Sequence, residues 1–221
     1  MTLSTDRDSW YRRTSWTPAD QEAFGARLRR SRDPFHRAQY LRVQALCLEQ
    51  AGIVGPAVVL LEQALVEDPA GFDVAEIHHQ LGTCREKQGR FLEAVEDARR
   101  ALAAETSNRR TGAWLTFGRM VVEHEMPHLY DEVLAIVEAR TQRENGSSSI
   151  SFPFERYLVS AILAVINARL GREEAAQRLA RAALSAAAET NSGLRYHPQV
   201  GLVTDRETRL YELVVPLAQD G

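Results

Sequence analysis

The sequence predicts an all-α fold built from about four helical hairpins, and three observations carry that prediction. A three-part spacing recurs, in which Gly, four residues, Ala, six residues and then Ala-Leu follow one another. It stands at Gly52–Ala57–Ala64-Leu65, Gly89–Ala94–Ala101-Leu102 and Gly171–Ala176–Ala183-Leu184. Seven positions before each Gly lies another small residue, namely Ala45, Gly82 and Ala164. Helix-start signals also stand ahead of periodic apolar stretches, as at Thr17-Pro18, Asp33-Pro34 and Pro153. Small residues at fixed phase let antiparallel helices approach closely, and each Gly supplies a left-handed turn between them.

Each element can be justified in chain order. Thr17 caps a first helix, Pro18 suits its first turn, and Asp20 favours its positive end. Phe24 and Leu28 share one face of this helix, which ends near Arg30, and Asp33-Pro34 starts the next. The first hairpin pairs a helix over 35–51 with one over 56–67, closed by Asp68-Pro69. The second pairs 73–88, with Asp73 as its cap, with 90–104. Gly89 and Gly171 are 82 positions apart, which leaves room for one diverged unit. Trp114, Phe117 and Gly118 take the aromatic, bulky and Gly positions of its first helix. Pro127 begins its second, running through Leu134, Ile136 and Val137. Residues 143–149, Arg-Glu-Asn-Gly-Ser-Ser-Ser, form the clearest loop. Pro153 opens a fourth hairpin that ends near Glu189. Gly193, Pro198 and Gly201 make 191–201 an irregular connection, and Thr204–Glu207 reads as a capping box. Leu210, Leu213, Val214 and Leu217 then form a helical stripe expected to dock on the last hairpin. The chain thus divides into an N-terminal Trp/Arg-rich segment with a capping helix (1–34), a repeat array (35–190) and a C-terminal connection with a capping helix (191–221).

Composition narrows the function classes. Hydrophobic content of 44% and charged content of 26% are those of an ordinary globular chain. No apolar run approaches the ~20 residues that span a bilayer, so no membrane association is expected. Met1 to Asp6 lack the basic-then-apolar order of a secretory signal, and a cytoplasmic location is expected. Net charge is −3, yet residues 1–42 carry nine Arg against five acids, whereas the remainder carries 18 basic and 25 acidic residues. Lys87 is the sole lysine, and its surroundings form no phosphate-binding Gly-rich loop. Cys47 and Cys84 fall at the same place in two repeat copies, about one repeat apart, which disfavours a disulfide and suits two small core side chains.

The run Leu81-Gly82, Gly89, Ala94, Ala98 and Ala101 resembles the tetratricopeptide repeat, a motif of about 34 residues. The first hairpin matches it too, down to Pro69, with the copies 37 residues apart. The resemblance covers roughly residues 35–190. The whole chain is also similar to bacterial tetratricopeptide-repeat proteins that begin with a Trp-rich basic segment. Those proteins end in a stretch like Arg195-Tyr196-His197-Pro198-Gln199-Val200-Gly201-Leu202-Val203. The resemblance implies a right-handed α-solenoid whose first helices line a concave groove that holds a peptide or helix, and it implies no activity and no cofactor. It places Gln39, Arg42, Leu46 and Glu49 on that groove, then Glu76, His79, Thr83, Glu86 and Lys87, with Leu115, Arg119 and Glu123 from the third unit. Helical spacing supports the stripe, since His79, Thr83 and Glu86 fall at i, i+4 and i+7. The groove lacks the Asn and paired basic residues of a C-terminal carboxylate clamp.

Two rival chemistries stand in the sequence. His124-Glu125-Met126-Pro127-His128 matches His-Glu-x-x-His, the zinc-hydrolase pattern that needs a continuous helix to place both imidazoles on one face. Pro127 opposes that helix, and the repeat register assigns the segment to an inter-helix turn. His78 and His79 are neighbours that point about 100° apart and cannot grip one metal as a helical pair. With no nucleophile elbow or phosphate loop, catalysis is not expected. The second rival is nucleic-acid association through Trp10, Tyr11, Arg12, Arg13 and Trp16 with Arg27, Arg29, Arg30, Arg32 and Arg37. Interleaved Asp20, Glu22 and Asp33 weaken that footprint, and the Trp residues suit a cover for the first hairpin. A non-catalytic, protein- or peptide-binding scaffold is the leading expectation, and the sequence leaves its oligomeric state open.

Overall fold

The computed structural model describes residues 9–144, 152–204 and 208–219. Regular structure among them is helical: α1 (Pro18–Leu28), α2 (Pro34–Gln50), α3 (Val54–Glu67), α4 (Val74–Lys87), α5 (Phe91–Ala104), α6 (Ala113–Glu123), α7 (Tyr130–Glu144), α8 (Pro153–Arg169), α9 (Glu173–Ala187) and α10 (Arg209–Gln219). Short 3-10 turns stand at Ser9–Tyr11 and Pro127–Leu129. A lone antiparallel bridge pairs Thr106 with Arg109. No described helix is long and apolar enough to cross a membrane. The chain forms two compact units, Met1–Ala113 and Trp114–Gly221.

In the first unit, α1 starts through the reciprocal bonds that Thr17 and Asp20 dictate. The Thr17 hydroxyl accepts from the Asp20 N–H, and the Asp20 carboxylate accepts from the Thr17 N–H at 2.9 Å. Phe24 and Leu28 are buried as the pattern requires, and the helix stops at Leu28, short of Arg30. Asp33 caps α2 through the Phe35 N–H at 3.0 Å. Helices α2 and α3 pack as one hairpin and α4 and α5 as the next, with α3 against α4 between them. Ala45, Ala57, Ala64, Ala94 and Ala101 are fully buried. A Cβ on Gly82 would lie 3.1 Å from the Ala94 carbonyl oxygen and 3.6 Å from the Asp97 Cβ. The recurring small residue therefore marks a true close approach of α4 to α5. Gly52 and Gly89 take φ of 78° and 75°, the left-handed turn expected between helices.

Two local expectations need correction here. Pro56 does not begin the second helix, which starts two residues earlier at Val54 because the chain re-enters helical geometry directly after Gly52 and Ile53. Asp73 does sit at the start of α4, but its side chain caps no amide. Its buried carboxylate is drawn instead to the Arg109 and Arg42 guanidinium groups, which give charged partners. Cys47 and Cys84 are free thiols, as the repeat register anticipates. Burial pushes the Cys84 thiol up to about 12 and raises Cys47 too.

In the second unit, a Cβ on Gly118 would lie 3.1 Å from Ile162 Cδ1 and 3.4 Å from Val133 Cγ1. Gly118 thus brings α6 close to α7 and α8, the role expected of it. Helices α8 and α9 form a hairpin around Gly171, whose φ is 72°. The second helix of the diverged unit begins properly at Tyr130, with Pro127 heading only the 3-10 turn before it. Helix α7 runs on through Arg143 and Glu144, so the expected loop starts later; its remainder lies outside the described residues. The capping box at Thr204–Glu207 also extends outside them. Helix α10 packs on α9 and α8 with Leu210 and Val214 buried, the docking its stripe predicts. The 191–201 connection is irregular and carries left-handed Gly193 and Gly201.

Candidate functional site

The predicted face on the first unit is built from α2 and α4, the first helices of two successive hairpins. Opposite charges tie them together. Arg42 Nε on α2 lies 3.6 Å from Asp73 Oδ2 at the head of α4, and Lys87 Nζ donates to Glu49 Oε1 at 2.9 Å near their other ends. Gln39, Glu76, His79, Thr83 and Glu86 are each half-buried, whereas Leu46 and Lys87 are exposed. Glu49 is buried, its carboxylate serving the Lys87 pair more than any open surface.

His79 anchors the centre of this face. Its Nδ1 lies 4.0 Å from Glu76 Oε2, and its carbonyl accepts the Thr83 hydroxyl at 3.3 Å. Gly112, in the connection after α5, has no room for a Cβ beyond 3.3 Å from the His79 ring. Burial lowers the His79 pKa from its ordinary value, while Glu76, Glu105 and Glu49 pull the other way.

Two contributors escaped the sequence reading. Arg109 pairs with Asp73 and lays its guanidinium 3.4 Å from the centroid of Phe72. Glu105 accepts from the Thr111 N–H at 2.9 Å and from its hydroxyl at 2.8 Å, holding the connection beneath His79. The usable signal was separation: Glu49–Lys87 spans 38 residues and Asp73–Arg109 spans 36, both close to the 37-residue repeat. The first pair joins successive hairpins, and the second joins the two ends of one hairpin.

The third unit's residues behave differently. Leu115 and Glu123 are buried, and Arg119 pairs with Glu123 along α6. Glu123 Oε1 also accepts from the Leu210 N–H at 3.0 Å, so this carboxylate caps α10. Leu115 and Glu123 are thus interior residues and not lining of an open groove, and Glu123 is held there by the start of α10.

The His-Glu-x-x-His segment is a turn. Glu125 has a left-handed φ of 54°, the Met126 N–H bonds to the Val121 carbonyl at 3.0 Å, and Pro127 opens the 3-10 turn. Arg169 donates to the Val122 carbonyl at 2.9 Å and to the Tyr130 hydroxyl at 2.7 Å, fixing both sides of it. Glu125 lies 3.8 Å from Arg169 and 3.3 Å from Arg209. The continuous helix that would place both imidazoles on one face is broken. His78 turns instead to Asp97, 3.3 Å away, a buried carboxylate that also receives Arg85.

At the N-terminus, the aromatic residues are structural. Trp10 lies 5.4 Å from Phe24 and 4.8 Å from Tyr40 between ring centroids, and Trp16 lies 5.5 Å from Phe24. Among the basic residues, Arg13 is paired with Asp20 and Arg37 with Glu67, while Arg29, Arg30 and Arg32 lie at the surface. No protein-family model matches the chain, and no curated protein matches it significantly.

Proposed function

We propose that this chain is a non-catalytic, tetratricopeptide-like scaffold that holds a protein or peptide against the first-helix face of its hairpins. The observation that carries this reading is the pairing of α2 with α4 by Arg42–Asp73 and Glu49–Lys87. Those links set two helices side by side and make one continuous surface of mixed charge from residues that repeat in register. Such a surface can offer donors from Arg42 and Lys87 and acceptors from Glu76 and Glu86 to an extended or helical partner. The buried charges at Asp73 and Glu49 hold it rigid, which lowers the ordering cost of binding. The soluble, adaptor-like role in the cytoplasm is part of the same proposal.

Photo-reactive residues installed at Gln39 and at Thr83 test it in native lysate. Both should crosslink to the same partner, and controls at exposed Val59 and Val66 on α3 should not. Changing Arg42, His79 and Glu86 together should abolish that crosslink. An undiminished crosslink in the triple variant, or equal capture at Val59, overturns the assignment.

A further inference from the structure

A second surface lies on the other side of α2, and it is already occupied by the chain itself. Gln44 is fully buried, about 200° around the helix from Arg42. Its side-chain amide reads the backbone of a single residue: Gln44 Oε1 accepts from the Arg13 N–H at 3.0 Å, and Gln44 Nε2 donates to the Arg13 carbonyl at 2.7 Å. A primary amide used in this way recognises a peptide group whatever its side chain. Selectivity comes from either side. Trp10, three residues earlier, fits against Phe24 and Tyr40, and the Arg13 guanidinium meets Asp20. Residues 12–17 form neither helix nor strand, so this strap is held by side chains of α1 and α2 and not by its own ladder.

We infer that the α1–α2 surface is a peptide-binding site with a built-in occupant, the strap Ser9–Trp16, and that it accepts a partner peptide carrying an aromatic residue three positions before an arginine. The reading of a main-chain amide by Gln44, the aromatic seat and the acidic Asp20 together specify that chemistry. Peeling the strap away uncovers Phe24 of α1 and Gln44 of α2, the seat that an incoming peptide refills. A tethered occupant competes at millimolar effective concentration, and a partner binds only in proportion to the open fraction.

A fluorescently labelled peptide of the sequence Ser9–Trp16 is the probe, titrated into the full chain by anisotropy. Wild type should bind it weakly. Trp10→Ala in the full chain weakens the internal strap and should tighten probe binding by about tenfold or more. Adding Gln44→Ala should reverse that gain, and a probe carrying Ala in place of Trp10 should bind about tenfold more weakly. Arg13→Gln, which removes the part-buried ion pair with Asp20 without adding a like charge beside that capping carboxylate, provides the second strap variant should Trp10→Ala reduce helical circular dichroism. Equal probe affinity in wild type and both strap variants overturns the proposal. So does indifference to Gln44→Ala. A concentration-dependent dimer in light scattering, appearing with the strap intact, would assign the site to exchange between copies and equally overturn a foreign partner.

Discussion

Asp20 works at the smallest scale, where one carboxylate organises the start of the chain. The Thr17 N–H and hydroxyl and the Ser15 hydroxyl donate to it, with Arg13 beside it, and hold its pKa at about 2, below the ordinary 3.8. Because the folded value lies below the unfolded one, its stabilisation is complete above the unfolded value and disappears as pH falls through about 2. Asp20→Asn should therefore be less stable than wild type near neutrality, and thermal melts should show the gap closing between pH 4 and 2. Glycines make a second residue-scale contrast. Gly52 has a φ of 78° with open space around it, so Gly52→Ala should cost only the left-handed backbone term, about 1–2 kcal/mol. Gly201 has a φ of 76°, and a Cβ there would fall 2.7 Å from the Phe152 Cβ. Gly201→Ala should add an overpacking cost of about 1–3 kcal/mol to the same backbone term. Urea denaturation with unchanged m-values would separate the two. The repeat glycines were legible because their demand is local, a positive φ in a fixed phase. The demand on Gly201 comes from a side chain 49 positions away and left no local mark.

At the scale of elements, Glu123 joins α6 to α10 and gives a direct prediction. Glu123→Ala removes the acceptor for the Leu210 N–H and should destabilise the second unit by about 1 kcal/mol, with more where Arg119 is left uncompensated. Amide hydrogen exchange at Leu210 and Tyr211 should accelerate before that of α8. Thiol labelling offers a check on the first unit: Cys84 is fully buried with its thiol raised to about 12, and it should resist disulfide reagents until α4 separates from α2 and α3. Helix positions were readable from caps, prolines and apolar phase, since those forces act within a few residues. Misplaced details share one cause. Asp73 reads as a cap, and Glu123 reads as groove lining, because sequence spacing cannot show which distant guanidinium or amide will reach a carboxylate first. Of the candidate face, the α2 and α4 residues were legible as a stripe, whereas Arg109 and Glu105 entered only through packing of the following connection.

At the scale of the molecule, each compact unit carries its own buried core. Leu41→Ala and Ile162→Ala both remove fully buried side chains, one in each unit, and each should cost about 2–5 kcal/mol. Native-state hydrogen exchange should show the first accelerating amides chiefly within 9–113 and the second chiefly within the described residues beyond 113. A uniform acceleration in both variants would mean that the units open as one. The division itself was not legible, because the repeat spacing continues past the boundary and describes local hairpins alone.

The Asp73–Arg109 pair has a consequence for how such a chain can change length. It ties the head of α4 to the connection beyond α5, so the hairpin between them begins and ends at one spot. A segment with joined ends is a cassette: it can be duplicated in a gene, or moved to another host, without stretching the chain on either side. A tandem copy of residues 73–109 would bring with it the acid and the arginine that close it. The clasp that fixes the face is thus also a seam along which the protein can be lengthened.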